Sequence, residues 1–447
     1  MTNFVFIVAD DLGYADLGCY GGRVPVSPNI DRMASQGLRF TQGYSNSPVC
    51  SPTRFAMITG RYQYQLRGAA EEPMTARFYG STEVGLPPSH PTLPSRLLAA
   101  GYRTALVGKW HLGYPPHFGP LKSGYQRHFG PLSGGVSYFS HLDREGNHDL
   151  VRDGEQVDCD GRYLTDALSD EAVTYVRERT ADRRPFLLSL HYTAPHWPWE
   201  SRGSGGAKPE IDADIRHKDG GSIHIYRQMI REMDEGIGRV LDTLDEGGLG
   251  ADTLVIFTSD NGGERFSDNW PLVGGKMDLT EGGIRVPCIV RWPKVIPAGT
   301  MTQQQAITMD WAATIFDIAG IDTGAGIDTG AGGAAGTPVD VPLDGLSLLP
   351  VLADPAAPFS RALFWRMKYR SQKALREEQW KYLAIDEHEY LFDLSQDERE
   401  RANLARRHPE RLAAMRRRYD EWNATMAPIP QDARSILVYT EADMPAR

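Results

Sequence analysis

Short apolar runs alternating with helical patterns constrain this chain more than any other feature of its sequence. The runs fall at residues 5–9, 104–108, 186–192, 253–259 and 288–291, each rich in β-branched or aromatic residues and bounded by turn residues. Between them apolar residues recur at helical spacing over 28–37, 93–101, 164–179 and 225–247. A strand without a polar face has to be covered on both sides. The alternation therefore predicts an α/β fold, a large mostly parallel mixed sheet sandwiched by helices. In open sheets of this kind, ligands bind at the carboxyl ends of the strands.

The 447 residues are enough for one such domain and a smaller partner. A boundary is expected at 342–350, giving a main domain over 1–345 and a C-terminal subdomain over 346–447. Beyond the boundary, Phe364-Trp365, Trp380-Lys381-Tyr382-Leu383 and Tyr390-Leu391-Phe392-Asp393-Leu394 read as strands. An arginine-rich helix over 409–423 follows, so the subdomain is predicted to be α+β with an antiparallel sheet. Two stretches read as loosely structured: the Gly-rich polar segment 201–221, and 320–336, where Gly-Ile-Asp-Thr-Gly-Ala is repeated.

A formal charge of −10 argues against non-specific nucleic-acid binding. No apolar run approaches the length of a membrane span. Met1-Thr2-Asn3 leads straight into the first strand, without a basic segment or a signal-peptide core. The expectation is cytoplasmic residence, or a periplasmic or secreted one if the sequence is a mature form. Four cysteines, Cys19, Cys50, Cys159 and Cys288, are too few for a disulfide framework.

The polar residues at the strand ends carry the chemistry. Asp10-Asp11 closes the first strand, and adjacent carboxylates are stable there only beside positive charge. Ser259-Asp260-Asn261-Gly262 follows a second strand in the same way. Asp10, Asp11, Asp260 and Asn261 offer only oxygen, which favours Ca²⁺ or Mg²⁺ over Zn²⁺. Each pair alone also fits an ordinary turn. Cys50-Ser51-Pro52-Thr53-Arg54 lies just ahead of a predicted helix closed by Gly60, with Ser51 as the expected cap, Pro52 at the first helical position and Arg54 as a fixed cation. Unpaired amides there favour negative charge, so the segment suits a centre that handles an anion. Lys109 and His111, in a glycine-flanked turn, can point into one cavity.

Cys50-Ser51-Pro52-Thr53-Arg54 resembles the C-x-P-x-R signature of the type I sulfatases, in the alkaline-phosphatase superfamily. The two acidic pairs match that family's metal-binding blocks in order, and Gly108-Lys109-Trp110-His111-Leu112-Gly113 is similar to its G-K-W-H-x-G block. Ala194-Pro195-His196-Trp197-Pro198 and the segment from Gly274 to Pro287 match further blocks, and the run from Trp380 to Leu404 is similar to the family's C-terminal subdomain. The resemblance implies a sulfuric ester hydrolase whose Cys50 is converted by a formylglycine-generating enzyme to Cα-formylglycine. Its hydrate would attack sulfur, forming a covalent sulfate hemiacetal, with Ca²⁺ bound by Asp10, Asp11, Asp260, Asn261 and an oxygen of modified Cys50.

By the same resemblance Lys109 contacts the sulfate, and His111 hydrogen-bonds a formylglycine hydroxyl. His196 protonates the leaving group, and Lys276 bridges sulfate and leaving oxygen. Arg54, Lys109 and Lys276 together balance the sulfate charge. His191 is expected to be a core histidine, and Glu281 with Arg285 a turn-stabilising ion pair. Alternatives are a phosphonate monoester or phosphodiester hydrolase of the same superfamily, and a non-catalytic binding protein with Cys50 unmodified. The expected substrate is a small sulfated carbohydrate or an aryl or alkyl sulfate. Specificity is expected from residues 62–85 and 113–148, with Arg67, Arg77, His117 and His141 as candidates.

Overall fold

Period-two burial explains the middle of the main sheet. In a computed structural model, which describes residues 1–204, 220–322 and 342–437, the first strand β1 (Asn3–Ala9) is buried on both faces. Val5, Ile7 and Ala9 join one apolar core, while Phe4, Phe6 and Val8 join another on the opposite side. The other strands of this sheet are β2 (Leu38–Tyr44), β3 (Arg103–Gly108), β4 (Arg127–Gly130), β5 (Val151–Arg152), β6 (Glu155–Gln156), β7 (Phe186–His191), β8 (Thr253–Ser259), β9 (Cys288–Arg291) and β10 (Thr300–Ile307). Their spatial order is β10-β2-β9-β8-β1-β7-β3-β4-β5-β6. The four central strands β8, β1, β7 and β3 run parallel, whereas β9 and the short β5 and β6 pair antiparallel. The expected mostly parallel mixed sheet is thus present.

Helices α1 (Pro28–Ser35), α4 (Leu164–Asp182) and α5 (Ile223–Glu246) cover one face; α2 (Cys50–Thr59), α3 (Leu93–Ala99), α7 (Asp310–Ala319) and α8 (Leu349–Ala353) cover the other. The short α6 (Glu281–Ile284) lies after β8. Helix α5 starts where Ser222 Oγ accepts the Ile225 amide at 3.2 Å. It then buries Met229, Ile230, Met233, Ile237, Val240, Leu241 and Leu244, each contributing about 1.5–3 kcal/mol by area.

The second sheet is antiparallel: β11 (Ala362–Arg366), β12 (Lys373–Glu377), β13 (Trp380–Ile385) and β14 (His388–Asp393), with α9 (Pro409–Ala424) packed on it. Leu348, Val351 and Leu352 pack in a core of the main sheet. A third core combines Tyr44, Val49, Met277 and Ile307 with Leu363, Trp365, Leu383 and Tyr419. The small sheet therefore shares an interior with the residues flanking α2.

Sequence patterning misses β2, β4, β5, β6, β10 and β12: β4 to β6 are short, β2 and β10 mix buried with half-exposed or exposed residues, and β12 is a short buried stretch between charged ends. Most of the segment 201–221 and most of the repeat at 320–336 lie outside the described residues.

Candidate active site

Four adjacent parallel strands deliver the predicted polar residues to one edge. Asp260 and Asn261 follow β8, Asp10 and Asp11 follow β1, His196 follows β7, and Lys109 follows β3. Backbone bonds lock these ends together: Asp260 N–H to Ala9 O at 3.1 Å, Asp10 N–H to Ala194 O at 3.1 Å, and Lys109 N–H to His191 O at 2.9 Å. Gly108 is required here. Its φ is +116°, and a Cβ would sit 1.8 Å from His191 O. Three non-glycine residues at the site adopt positive φ: Asp11 and His111 at 62°, and Met277 at 75°. Such conformations cost about 1–3 kcal/mol each and cluster where structure serves chemistry.

Cys50 opens α2 and does not precede it, correcting the sequence expectation. Val49 is the N-cap, without a side-chain bond. Ser51 is not the cap, because its Oγ accepts the Met74 amide at 2.9 Å and so ties α2 to the following loop. Gly60 closes the helix in the left-handed conformation as expected. Every residue of α2 is buried. Cys50 Sγ lies 3.3 Å from Asp10 Oδ1 and 3.7 Å from Asp11 Oδ1. Burial, reinforced by Asp10, pushes its thiol well above the usual range despite Lys109 and Lys276. A thiolate nucleophile requires the opposite shift.

Three buried carboxylates face three cations. Lys109 Nζ bonds Asp10 Oδ2 at 2.5 Å, Lys276 Nζ bonds Asp11 Oδ2 at 2.7 Å, and Arg54 Nη2 lies 2.8 Å from Asp260 Oδ2 and 3.7 Å from Asp10 Oδ2. Burial alone would raise Asp11, but Lys276, by charge and hydrogen bond, and the hydrogen bond from Asn261 outweigh it and hold the carboxyl well below its usual range. Asp260 is pushed up to about 6 by burial and then Asp10, with Arg54 opposing. Lys276 is held protonated against burial, chiefly by Asp11.

Both histidines are neutral with defined tautomers. His111 Nε2 donates to Met74 O at 2.7 Å, which leaves Nδ1 as a buried lone pair without a partner. His196 Nδ1 donates to Trp197 O at 2.5 Å, which leaves Nε2 as a lone pair 3.6 Å from Asp11 Oδ2. Burial lowers both, followed by Lys109 for His111 and Lys276 for His196.

Of the predicted residues, Cys50, His111, His196 and Lys276 line one cavity at the strand ends. Arg54 and Lys109 are committed to Asp260 and Asp10. The cavity also takes residues 73–76 and 133–135 together with Arg144 and Glu145, all within the two stretches expected to set specificity. The named candidates there are placed differently. Arg67 and Arg77 both pair with Glu71, His141 donates to Arg162 O, and exposed His117 packs near Phe118. Sequence reading missed Glu264, which lines the cavity beside Lys276 with Oε2 buried and unpartnered. Burial raises it to about 7, with Lys276 opposing. Its only sequence signal was position, three residues past Asn261.

His191 is buried at the end of β7, edge-on to Phe6 as a core histidine. The Glu281–Arg285 pair is loose at 3.8 Å. Glu281 is bound instead by Lys381 at 2.9 Å and Tyr44 at 2.9 Å, and Lys381 also reaches Glu400 at 2.8 Å.

The oxygen donors fit a hard divalent cation. Carboxylate oxygens of Asp10 and Asp11, with Cys50 Sγ and a ring nitrogen of His196, lie within 4.8 Å of one another, and the predicted ligand Asp260 falls outside this group. Asn261 gives Nδ2 to Asp11 Oδ1 at 2.7 Å and leaves Oδ1 buried without a partner. That carbonyl oxygen and the adjoining carboxylates are the ligands such an ion prefers.

An alkaline-phosphatase-like sheet with a cysteine-centred acidic site at its strand ends defines a class, and the comparisons name it. The sulfatase family pattern matches residues 2–321, and this chain belongs to the sulfatase family. It is 33% identical over 372 residues to N-acetylgalactosamine-6-sulfatase of Canis lupus familiaris, covering 78% of this chain and 66% of that protein. It is 33% identical over 432 residues to steryl-sulfatase of Mus musculus, covering 78% and 65%. The chain thus spans just under two thirds of the length of these curated relatives. The solved structure of Ps i-CgsB in complex with k-i-k-neocarrahexaose superposes with a TM-score of 0.79 at 31% identity, covering 94% of this chain and 92% of that one.

Proposed function

We propose that this protein is a sulfatase that hydrolyses sulfate esters of carbohydrates, with Cys50 oxidised to Cα-formylglycine by a formylglycine-generating enzyme and Ca²⁺ held by Asp10, Asp11, Asp260 and Asn261. The observation that carries the reading is the placement of Cys50. Its sulfur lines the cavity and lies 3.3 Å from Asp10 Oδ1 and 3.7 Å from Asp11 Oδ1. Hydrated formylglycine at that position would supply a hydroxyl nucleophile beside the residues that would hold the cation.

The chain's own groups then divide the work. Lys276, on the cavity wall, is held protonated beside Asp11 and would set a positive charge against a bound sulfate ester. Lys109 and Arg54 act from below, fixing Asp10 and Asp260 in ligating positions. His111 Nδ1 is a neutral lone pair able to take a hydroxyl proton. Lys276 and His196 both line the cavity and are the two groups there able to give a proton to the departing oxygen.

The carbohydrate assignment rests on the names of the relatives and on the polar groups Arg144, Glu145 and Glu264 around the cavity. Sulfate release from sulfated monosaccharides, an aryl sulfate and an aryl phosphonate would be compared, with mass spectrometry of the Cys50 peptide. The expected result is an aldehyde at Cys50 and fastest turnover of a sulfated sugar. Full activity with an intact thiol, or preference for the phosphonate, would overturn the proposal.

A further inference from the structure

A second group of metal-ligand side chains gathers at the hairpin that reaches the cavity mouth. Leu142 bridges His148, and Asp143 N–H donates to Asn147 O at 2.8 Å. Arg144 and Glu145, in the turn of this hairpin, line the cavity. His141 and His148 mark its two ends, with ring centroids 6.0 Å apart. Asp160 comes up beside them from the segment after β6: its Oδ1 is 3.0 Å from His148 Nε2 and 4.0 Å from His141 Nδ1. One ligand atom from each residue lies within 4.8 Å of the others.

His141 gives the independent indication. Its side chain is 1% exposed. Nε2 donates to Arg162 O at 3.1 Å, so the ring proton is there and Nδ1 carries a lone pair. That nitrogen is buried without a hydrogen-bond partner and faces a carboxylate oxygen, itself an acceptor. Asp160 Oδ1 accepts from His148 Nε2 at 3.0 Å, so an incoming cation would take the place of that proton, while His141 Nδ1 offers a buried lone pair turned toward the same oxygen. A carbonyl behind the far nitrogen is also how proteins fix the ligating tautomer of a metal-bound histidine. Two imidazoles and one carboxylate suit Zn²⁺ and its neighbours, not the hard ions that all-oxygen sites select. Ligands at about 2.0–2.2 Å around one such ion stand about 3.4 Å apart, so small shifts of the three side chains close the site.

We propose that His141 Nδ1, His148 Nε2 and Asp160 Oδ1 bind one zinc-class divalent ion, and that the ion clamps the hairpin carrying Arg144 and Glu145 at the cavity mouth. The site is separate from the acidic cluster at Cys50 and shares no donor with it. Its role is to fix the hairpin; water would complete the shell.

The test uses the Ca²⁺-saturated enzyme titrated with Zn²⁺ by calorimetry and with Co²⁺ by visible absorption. One further equivalent of Zn²⁺ and ligand-field bands of bound Co²⁺ are expected. His148→Ala and Asp160→Asn, both changes nearer the surface than His141, should lose them, with affinity down at least about tenfold. Hydrogen exchange over 142–148 should slow on Zn²⁺ addition in the wild type and not in either variant. No binding beyond the calcium sites, binding unchanged in both variants, or a hairpin indifferent to Zn²⁺ would overturn the proposal.

Discussion

Replacing Lys381 with methionine isolates how the small sheet supports the catalytic edge. Lys381 Nζ sits 2.9 Å from Glu281 Oε1 and 2.8 Å from Glu400 Oε1, and all three side chains are 0–1% exposed. In the wild type, burial pushes Glu281 up but Lys381 and Arg285 prevail and hold it below its ordinary value. Glu400 is raised to about 7 by burial, with Lys381 opposing and Glu281 adding. Removing the lysine leaves two carboxylates buried without their shared cation, a loss of about 3–5 kcal/mol. The pH dependence has a definite sign. A lowered carboxyl, as Glu281 is in the wild type, contributes stability above its unfolded pKa that is lost as pH falls. In Lys381→Met both carboxyls are raised, so stability is full below their unfolded values and lost as pH rises. The deficit should be about 3–5 kcal/mol at pH 7.5 and shrink to about 1–2 kcal/mol near pH 4.5, where only hydrogen bonds are missing. Urea unfolding followed by tryptophan fluorescence at both pH values measures it. Adding Glu400→Gln to Lys381→Met should recover part of the stability at pH 7.5, because only Glu281 is then left without the lysine. A deficit under about 1 kcal/mol, or one independent of pH, would refute the account.

Other outcomes follow from the site. Cys50→Ser should give at most one slow turnover in a burst assay, since a serine ester lacks the second hydroxyl that releases sulfate; sustained wild-type turnover would exclude the formylglycine reading. Chelation should abolish sulfate release and lower the melting temperature, and Ca²⁺ should restore both; Asn261→Ala should raise the Ca²⁺ needed for half-recovery by about tenfold or more, read by calorimetry. Buried His128, lowered to about 4 by desolvation, is neutral in the fold. Its depressed value costs stability as pH falls from 6.5 toward 4, up to about 3 kcal/mol, and His128→Gln should flatten that limb in denaturant titrations.

The central strands were legible because β1, β3, β7 and β8 expose almost nothing and so read as unbroken apolar runs. Strand β10, Thr-Met-Thr-Gln-Gln-Gln-Ala-Ile, lies at the sheet's edge and keeps polar residues on its outer half; its pattern carries little signal. Strand β12 holds Arg376, buried and bonded to Gln42 across the chain, a pairing no local pattern encodes. The site's residues announced themselves at strand ends, where paired charges demand partners. The partners themselves were not legible. That Arg67 and Arg77 would both be taken by Glu71, and Ser51 by Met74, depends on contacts closed only by the fold. Glu264 looked like any loop glutamate until the cavity formed around it.

The complete burial of α2 has a consequence in time. Cys50 is 1% exposed, flanked by a fully covered helix and held beneath the 73–76 loop. Another macromolecule cannot reach that sulfur once the chain has packed. On the proposed formylglycine reading, conversion of the cysteine and packing of the chain compete as rates. A molecule that packs first would keep its thiol and stay inactive. Slowing folding should then raise the active fraction of a preparation.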